Sequence, residues 1–269
     1  MTPSNSPSPR RWTRRLGRAL LGGAALVALL SSVACLAWRH PLPEGQTGPA
    51  ADALAHSLEQ AVRGDDWNRT GAVRWTFLGG HHHLWDRQRG YARVRWSNME
   101  VLLEVRKKSG LAFSKGRFLD GKDADKAVAK AYAMFVNDMF WLNPVVKLFD
   151  PGVHRALVTL SDADTRPGWR KEALLAYYSS GGVTPGDKYL WIADTDGRPV
   201  AWRLWVSVLP IPGLEFSWDS WQTLATGALV STHHGGPLGA GVTLHDVAGA
   251  ATLEQLEPGP DPFAALARR

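Results

Sequence analysis

Cysteine is nearly absent from this sequence, in which Cys35 is the single cysteine among 269 residues. One cysteine forms no internal disulfide, and the chain after Cys35 offers no thiol as a nucleophile or as a metal ligand. This absence excludes cysteine-based catalysis and cysteine-rich zinc sites from residues 36 to 269.

Signature motifs of enzymes are also missing. The sequence has no Gly-x-Ser-x-Gly nucleophile elbow, no His-Glu-x-x-His zinc motif, no phosphate-binding loop and no dinucleotide-binding glycine fingerprint. We therefore predict a protein that is not an enzyme and that uses no cofactor.

Acidic residues are missing from residues 1–18, where five arginines lie. The formal net charge of the whole chain is +6, so the remainder carries only about +1. A nucleic-acid-binding protein needs a basic body or a basic face, and the later segments show neither. The charge pattern therefore predicts no nucleic-acid partner.

A long uncharged run, from Ala19 to Trp38, follows these arginines. As a helix, the 19 residues from Ala19 to Ala37 would span about 28 Å, close to the hydrocarbon thickness of a bilayer. A positive flank before an apolar run is typical of an export signal or a signal anchor. We predict that the rest of the chain is exported to the periplasmic face of the membrane.

Three fates of this run stay open. The segment Ser32-Val33-Ala34-Cys35 is similar to a lipobox, which would make Cys35 the lipidated first residue of a lipoprotein, with Ser32 where leucine is usual. The small residues Ser32 and Ala34 also fit ordinary signal cleavage, and the length of the run fits an uncleaved anchor. In each case residues 39–50, rich in proline and glycine, form a linker.

The body of the chain reads as mainly β with two helices. Leu54 and Leu58 recur at helical spacing and predict a helix over 51–63. A second helix is predicted from Asp120 to Leu142, before Asn143-Pro144. Alternation predicts strands from Val73 to Phe113 and again at 153–160, 172–178, 187–193, 198–209, 214–226, 228–234 and 241–248.

This order of elements predicts an α+β, mainly β fold, in which a strongly curved antiparallel sheet forms a half-open barrel. An N-terminal helix and an inserted lid helix cover its apolar side. The predicted domains are a basic disordered segment on the cytoplasmic side at 1–18, the signal or anchor at 19–38, the linker at 39–50, the half-barrel at 51–256 and a flexible tail at 257–269.

Three local runs sharpen the fold prediction, namely 135–142 (FVNDMFWL), 150–153 (DPGV) and 184–189 (TPGDKY). In this order and spacing, and with this order of elements, the chain resembles the LolA-like lipoprotein-carrier superfamily and, within it, a family of bacterial exported proteins. The resemblance covers roughly residues 51 to 250. It implies a carrier or sensor of a lipid or of a lipoprotein acyl chain, without chemistry of its own.

Thirteen tryptophans and several apolar stripes suit an apolar binding groove. An acyl chain is bound by burying apolar area, at roughly 25 cal/mol per Å². Stripes of this kind also fill closed cores, and that alternative stays open. The predicted groove residues are Trp75, Phe77, Val94, Trp96, Phe135, Met139, Leu142, Trp202, Phe216 and Trp218.

Four polar residues are candidate anchors for a ligand head group: His81, His83, Asn137 and Asp138. On a strand, His81 and His83 face one way and His82 the other, so at most two of the three histidines share a metal. A full site would need another histidine such as His233 or His245, and we predict no metal. The Asn137-Asp138 pair has an ordinary alternative role in hydrogen-bonding nearby backbone.

Two further hypotheses stay open beside the lipid carrier. One is a metal-dependent hydrolase built around His81 and His83. The other is a membrane-tethered module without a small ligand that binds other envelope proteins.

Overall fold

The computed structural model describes residues 38–267. The predicted segment 1–18, all but the last residue of the predicted anchor and Cys35 lie outside the described residues. Within residues 38–267, no helix combines the length and the apolar character that crossing a membrane requires.

Five α-helices occur in the described residues. They are α1 (Pro49–Ala61), α2 (Gly64–Arg69), α3 (Gly121–Phe140), α4 (Leu253–Leu256) and α5 (Ala264–Ala267), together with short 3-10 turns at Pro144–Lys147 and Pro237–Gly239. Both predicted helices are present, as α1 and α3. Arg63 adopts a left-handed conformation that ends α1, and Asn143-Pro144 follows the end of α3 because the residue before proline disfavours helical geometry.

Fifteen strands follow the predicted alternating runs closely. Their bounds are β1 Ala72–Phe77, β2 His81–Asp86, β3 Tyr91–Trp96, β4 Met99–Glu104, β5 Ser109–Ser114, β6 Arg117–Phe118, β7 Val153–Thr159, β8 Glu172–Tyr178, β9 Lys188–Ala193, β10 Pro199–Trp205, β11 Leu214–Ser217, β12 Asp219–Thr223, β13 Leu229–Gly235, β14 Gly241–Thr243 and β15 His245–Ala250. All strand pairs are antiparallel. The α+β, mainly β fold class is thereby confirmed.

The strands divide into three sheets. A seven-stranded sheet has the order β15-β1-β2-β3-β4-β5-β6, a five-stranded sheet the order β11-β10-β9-β8-β7, and a three-stranded sheet the order β12-β13-β14. The predicted strand over 214–226 breaks at Trp218, a buried residue whose backbone N–H donates to the Val200 carbonyl. The predicted strand over 241–248 likewise divides at Leu244, so the chain changes sheets at both points.

Two apolar cores lie on the inner faces of the larger sheets. Trp75 and Val94 of the seven-stranded sheet belong to one core, with Phe135 of α3. Trp191 of the five-stranded sheet belongs to the other, with Leu58 of α1. The inserted helix α3 therefore covers the apolar face of the first sheet, as a lid helix should.

The chain end differs from the expected flexible tail. Phe263 and Leu266 are buried against the outer face of the seven-stranded sheet, in a cluster with Leu84, Leu102 and Leu111. The tail expectation rested on its proline, glycine and charged residues. The physical reason for the difference is an apolar patch on the outer sheet face that these two side chains cover.

Candidate functional site

A cavity of about 510 Å³ lies between α3 and the five-stranded sheet. Trp85 of β2 and Val105 after β4 form part of one wall, and Trp202 and Leu204 of β10 form part of the other. The loops from Tyr178 to Asp187 and from Val206 to Leu209 complete it. The volume falls within the range of roughly 300 to 1,000 Å³ typical of small-molecule sites.

Aromatic rings make up much of the cavity wall. Phe140 of α3 contacts Tyr178 and Tyr189, with ring centroids 5.3 and 4.9 Å apart. Trp202 packs against Tyr189 at 5.0 Å and against Trp141 at 5.1 Å. Other apolar lining residues are Trp85, Val105, Tyr132, Phe135, Val136, Met139, Val153, Leu204, Val206, Val208 and Leu209.

Helix α3 serves a core and the cavity at once because its C-terminal half is apolar on more than one side. Ala131 and Phe135 are fully or almost fully buried in the core under the seven-stranded sheet. Val136 and Phe140 are half-buried and line the cavity. A helix with a single apolar stripe would cover only one of these surfaces.

Polar groups are concentrated in the loops around the cavity. Lys147 and Asp150 form an ion pair, with Nζ 2.6 Å from Oδ2. Asp187 is buried, and it accepts hydrogen bonds from the Thr184 hydroxyl at 2.6 Å and from the Ser207 backbone N–H at 3.1 Å. The hydroxyl of Tyr178 is buried without a partner among the described residues, and burial raises the pKa of Tyr178 well above its usual range.

Three of the ten predicted groove residues line the cavity: Phe135, Met139 and Trp202. The other seven lie in or against the two cores, where Trp75, Phe77, Val94, Trp96 and Leu142 pack with α3 and Phe216 and Trp218 pack with the five-stranded sheet. The closed-core alternative therefore describes where these seven side chains lie. Their role in binding a ligand stays a prediction.

The three runs that carried the sequence resemblance converge on the cavity. Within 135–142, all residues except Asp138 and Leu142 line the cavity. Asp150, Pro151 and Val153 line it beside Lys147, and Thr184, Asp187 and Tyr189 line it from a second segment of the chain. These last six residues, with Lys147 and Tyr178, were not among the predicted groove residues. Alternation on strands could not find them because most lie in loops or at strand ends.

A second polar group lies at the interface between β2 and α3. His81 Nδ1 is 2.9 Å and His83 Nε2 is 2.8 Å from the same Asp138 oxygen, Oδ2. The other Asp138 oxygen accepts from the Asn137 side-chain amide at 3.0 Å. All four candidate polar anchors are therefore close together, and Asn137 also lines the cavity.

Burial shapes the chemistry of this group. His83 and Asp138 are 3% and 1% exposed, and Trp75 stacks on His83 with ring centroids 4.5 Å apart. Desolvation lowers the pKa of His83, while its hydrogen bond to Asp138 acts in the opposite direction. An ionised carboxylate only accepts hydrogen bonds, so both imidazoles donate to Asp138 when it is charged.

The remaining histidines considered at the sequence level lie elsewhere. His82 points to the outer face of the sheet, where its Nδ1 is 3.0 Å from the Thr76 hydroxyl. His233 Nδ1 is 3.0 Å from the Thr243 hydroxyl on β14, and His245 is exposed on β15. In the described part of the chain, His81, His83 and Asp138 form the group whose donor atoms all lie within 4.8 Å of one another.

Fold and site together define a mainly antiparallel β protein in which an inserted helix covers an apolar cavity. No protein-family model and no curated protein match the sequence. Solved structures that match this chain include the following two. A LolA superfamily protein from Nitrosomonas europaea matches with a TM-score of 0.34 and 12% identity, over 79% of this chain and 96% of its own. A putative outer membrane lipoprotein-sorting protein domain from Vibrio parahaemolyticus matches with a TM-score of 0.33 and 8% identity, over 80% and 100%.

Proposed function

We propose that this protein is a non-catalytic carrier or sensor that holds the acyl chain of a lipid, or of a lipoprotein, in the cavity beneath α3. The observation that supports this function most directly is the cavity itself, with a volume of about 510 Å³ and a largely aromatic and aliphatic wall. Burying apolar ligand surface there contributes roughly 25 cal/mol per Å².

The polar groups of the surrounding loops support an amphiphilic ligand. Among the lining residues, Lys147 provides a cation, and Asn137 and Thr184 provide neutral hydrogen-bonding groups. The hydrocarbon part of a lipid would lie against Trp202 and Phe140, and its head group would lie toward these loops. A purely apolar ligand would gain nothing from this arrangement.

A role without catalysis is consistent with how the polar groups around the cavity are engaged. Asp150 is paired with Lys147, and Asp187 accepts from Thr184 and Ser207. Both carboxylates already accept hydrogen bonds from neighbouring groups, and none of the three histidines of β2 lines the cavity.

Export and membrane attachment complete the proposal. The arginine-rich residues 10–18 and the uncharged run 19–38 support delivery outside the cytoplasm, with attachment through that run or through a lipidated Cys35. A carrier held at the membrane surface would meet lipids or lipoproteins there.

Binding of a lipophilic fluorescent probe tests the cavity. We expect the full chain in mild detergent to bind the probe and a long-chain fatty acid to displace it. Val136 lines the cavity, and Val136→Phe places a larger side chain in the space that the ligand would occupy. We therefore expect at least a tenfold loss of affinity for the probe, equivalent to about 1.4 kcal/mol. Ala129→Phe is the matched control because Ala129 is exposed on the same helix and does not line the cavity.

Lipid mass spectrometry of protein extracted from its native membrane identifies the ligand and any acyl group on Cys35. Equal probe affinity for Val136→Phe and Ala129→Phe, with both variants folded, would contradict the assignment of the cavity. A wild-type chain that neither binds the probe nor carries lipid would instead favour the ligand-free envelope module.

A further inference from the structure

We propose that His81, His83 and Asp138 form a Zn²⁺ site that clamps α3 to β2. The inference does not depend on the cavity or on its ligand. It rests on three donor groups that the fold brings together from two elements more than 50 residues apart in sequence.

Strand β2 places the side chains of both histidines on the same face of the sheet. Side chains alternate along β2, so His81 and His83 point inward and His82 points outward. Asp138 enters from α3 opposite them, and its Oδ2 atom lies 2.8 and 2.9 Å from the two imidazole nitrogens. Tetrahedral zinc with bonds of about 2.0 to 2.1 Å needs donor atoms roughly 3.3 Å apart, so each distance widens by about half an ångström.

The donor set suits zinc. Two imidazole nitrogens and one carboxylate oxygen, with a fourth position for water or another ligand, is a common three-residue zinc set. The ion takes the place of the protons between the imidazoles and Asp138 Oδ2, and each imidazole then carries its proton on the other nitrogen. Its positive charge also compensates a carboxylate that is 1% exposed.

Access and affinity follow from the surroundings. The side chain of His81 is 28% exposed, which leaves a route for the ion from solvent. The Nδ1 atom of His83 is buried and has no hydrogen-bond partner in the described residues. Since such an outer partner typically changes metal affinity by about 10- to 100-fold, we expect weaker binding than at sites where every histidine is supported.

Equilibrium dialysis against zinc chloride tests the site. The sample is the full chain in detergent, without a histidine tag and treated with a chelator beforehand. We expect one Zn²⁺ per chain by elemental analysis and a rise in the thermal unfolding midpoint. Co²⁺ should give the visible absorption of a tetrahedral site. His81→Ala should lower the zinc affinity by at least tenfold, and Asp138→Asn should do the same if it folds.

His82→Ala is the matched control, since His82 is the neighbouring residue on the opposite face of β2. It should bind zinc as the wild type does. Absence of binding to the wild-type chain, or equal binding by His81→Ala and His82→Ala, would overturn the proposal. Neither result bears on lipophilic-probe binding, so failure of the zinc site and failure of the cavity assignment are separately visible.

Discussion

His234 shows at the scale of a single residue how burial without a charged partner affects stability. Its side chain is fully buried on β13, with ring centroids 4.3 Å from Trp218 and 5.4 Å from Trp141. Desolvation is the main cause that lowers its pKa to about 4, from 6.5. The folded protein therefore holds this imidazole neutral, while the unfolded chain protonates it below pH 6.5.

The sign of the pH dependence follows from that difference. Because the unfolded state binds the proton more tightly, His234 contributes stability above pH 6.5, which is lost as the pH falls toward 4. Between pH 6.5 and 4, we expect the free energy of unfolding to fall by about 3 kcal/mol less in His234→Gln than in the wild type. Urea unfolding at several pH values measures the slope of the free energy of unfolding against pH. The test compares this slope between the variant and the wild type, whatever the absolute stability of the variant.

His245→Gln is the control for this prediction, because His245 is exposed on β15. Its pH slope should match that of the wild type. His83, whose pKa is also lowered by burial, should leave a pH dependence of the same sign in the His234 variant. A slope unchanged by His234→Gln would show that other groups cause the acid sensitivity.

At the scale of elements, the β4–β5 hairpin depends on a close backbone approach at Gly110. Gly110 is paired with Leu103, and a Cβ atom added there would lie 2.1 Å from the backbone oxygen of Leu102. Backbone cannot give way as a flexible side chain does. The hairpin therefore keeps its register only with glycine at this position.

We expect Gly110→Ala to destabilise the protein by about 1 to 3 kcal/mol, the usual cost of adding atoms where no space exists. Denaturant unfolding measures this loss. Ser109→Ala, one residue earlier in β5 and exposed, should change stability by less than about 0.5 kcal/mol. Equal stability of the two variants would mean that the strands separate at little cost.

The same scale explains why α3 matters for both proposals. Asp138 is joined to β2 by two hydrogen bonds, while Val136 and Phe140 form part of the cavity wall. The proposed zinc ligand Asp138 and part of the cavity wall therefore lie on the same helix.

At the scale of the whole molecule, the last strand forms one edge of the seven-stranded sheet, and the chain end packs on the outer face of that sheet. β15 pairs with β1, which places the final strand beside the first. Beyond it, Arg89 donates to both oxygens of Asp261 at 2.7 and 2.9 Å, and Phe263 is fully buried. The C-terminal segment therefore belongs to the folded unit as far as Ala267.

We expect Phe263→Ala to cost about 3 to 5 kcal/mol, as for other large-to-small core substitutions. Thermal or chemical unfolding of the full chain measures it. Pro260→Ala changes an exposed residue of the same segment and should have little effect. A Phe263→Ala variant as stable as the control would return the segment to the flexible tail that its composition suggests.

Sequence periodicity determined much of the fold. The apolar spacing of Leu54 and Leu58 and the stop at Asn143-Pro144 placed both long helices, because apolar periodicity and the restriction before proline are local properties of the chain. The division into three sheets was not predictable, since it depends on which strand Trp218 and Leu244 lead into rather than on their own neighbours.

The candidate site separates local from long-range causes in the same way. Strand alternation by itself determined that His81 and His83 share a face, and the apolar run 135–142 determined that α3 is buried on several sides. Only the tertiary structure decided that Asp138 meets both histidines, and that Phe135, Met139 and Trp202 border a cavity while Trp75 and Trp218 fill cores. The physical reason is that whether an apolar face closes or leaves a space depends on the docking position of α3 and on loops far away in sequence, and no local pattern records that position.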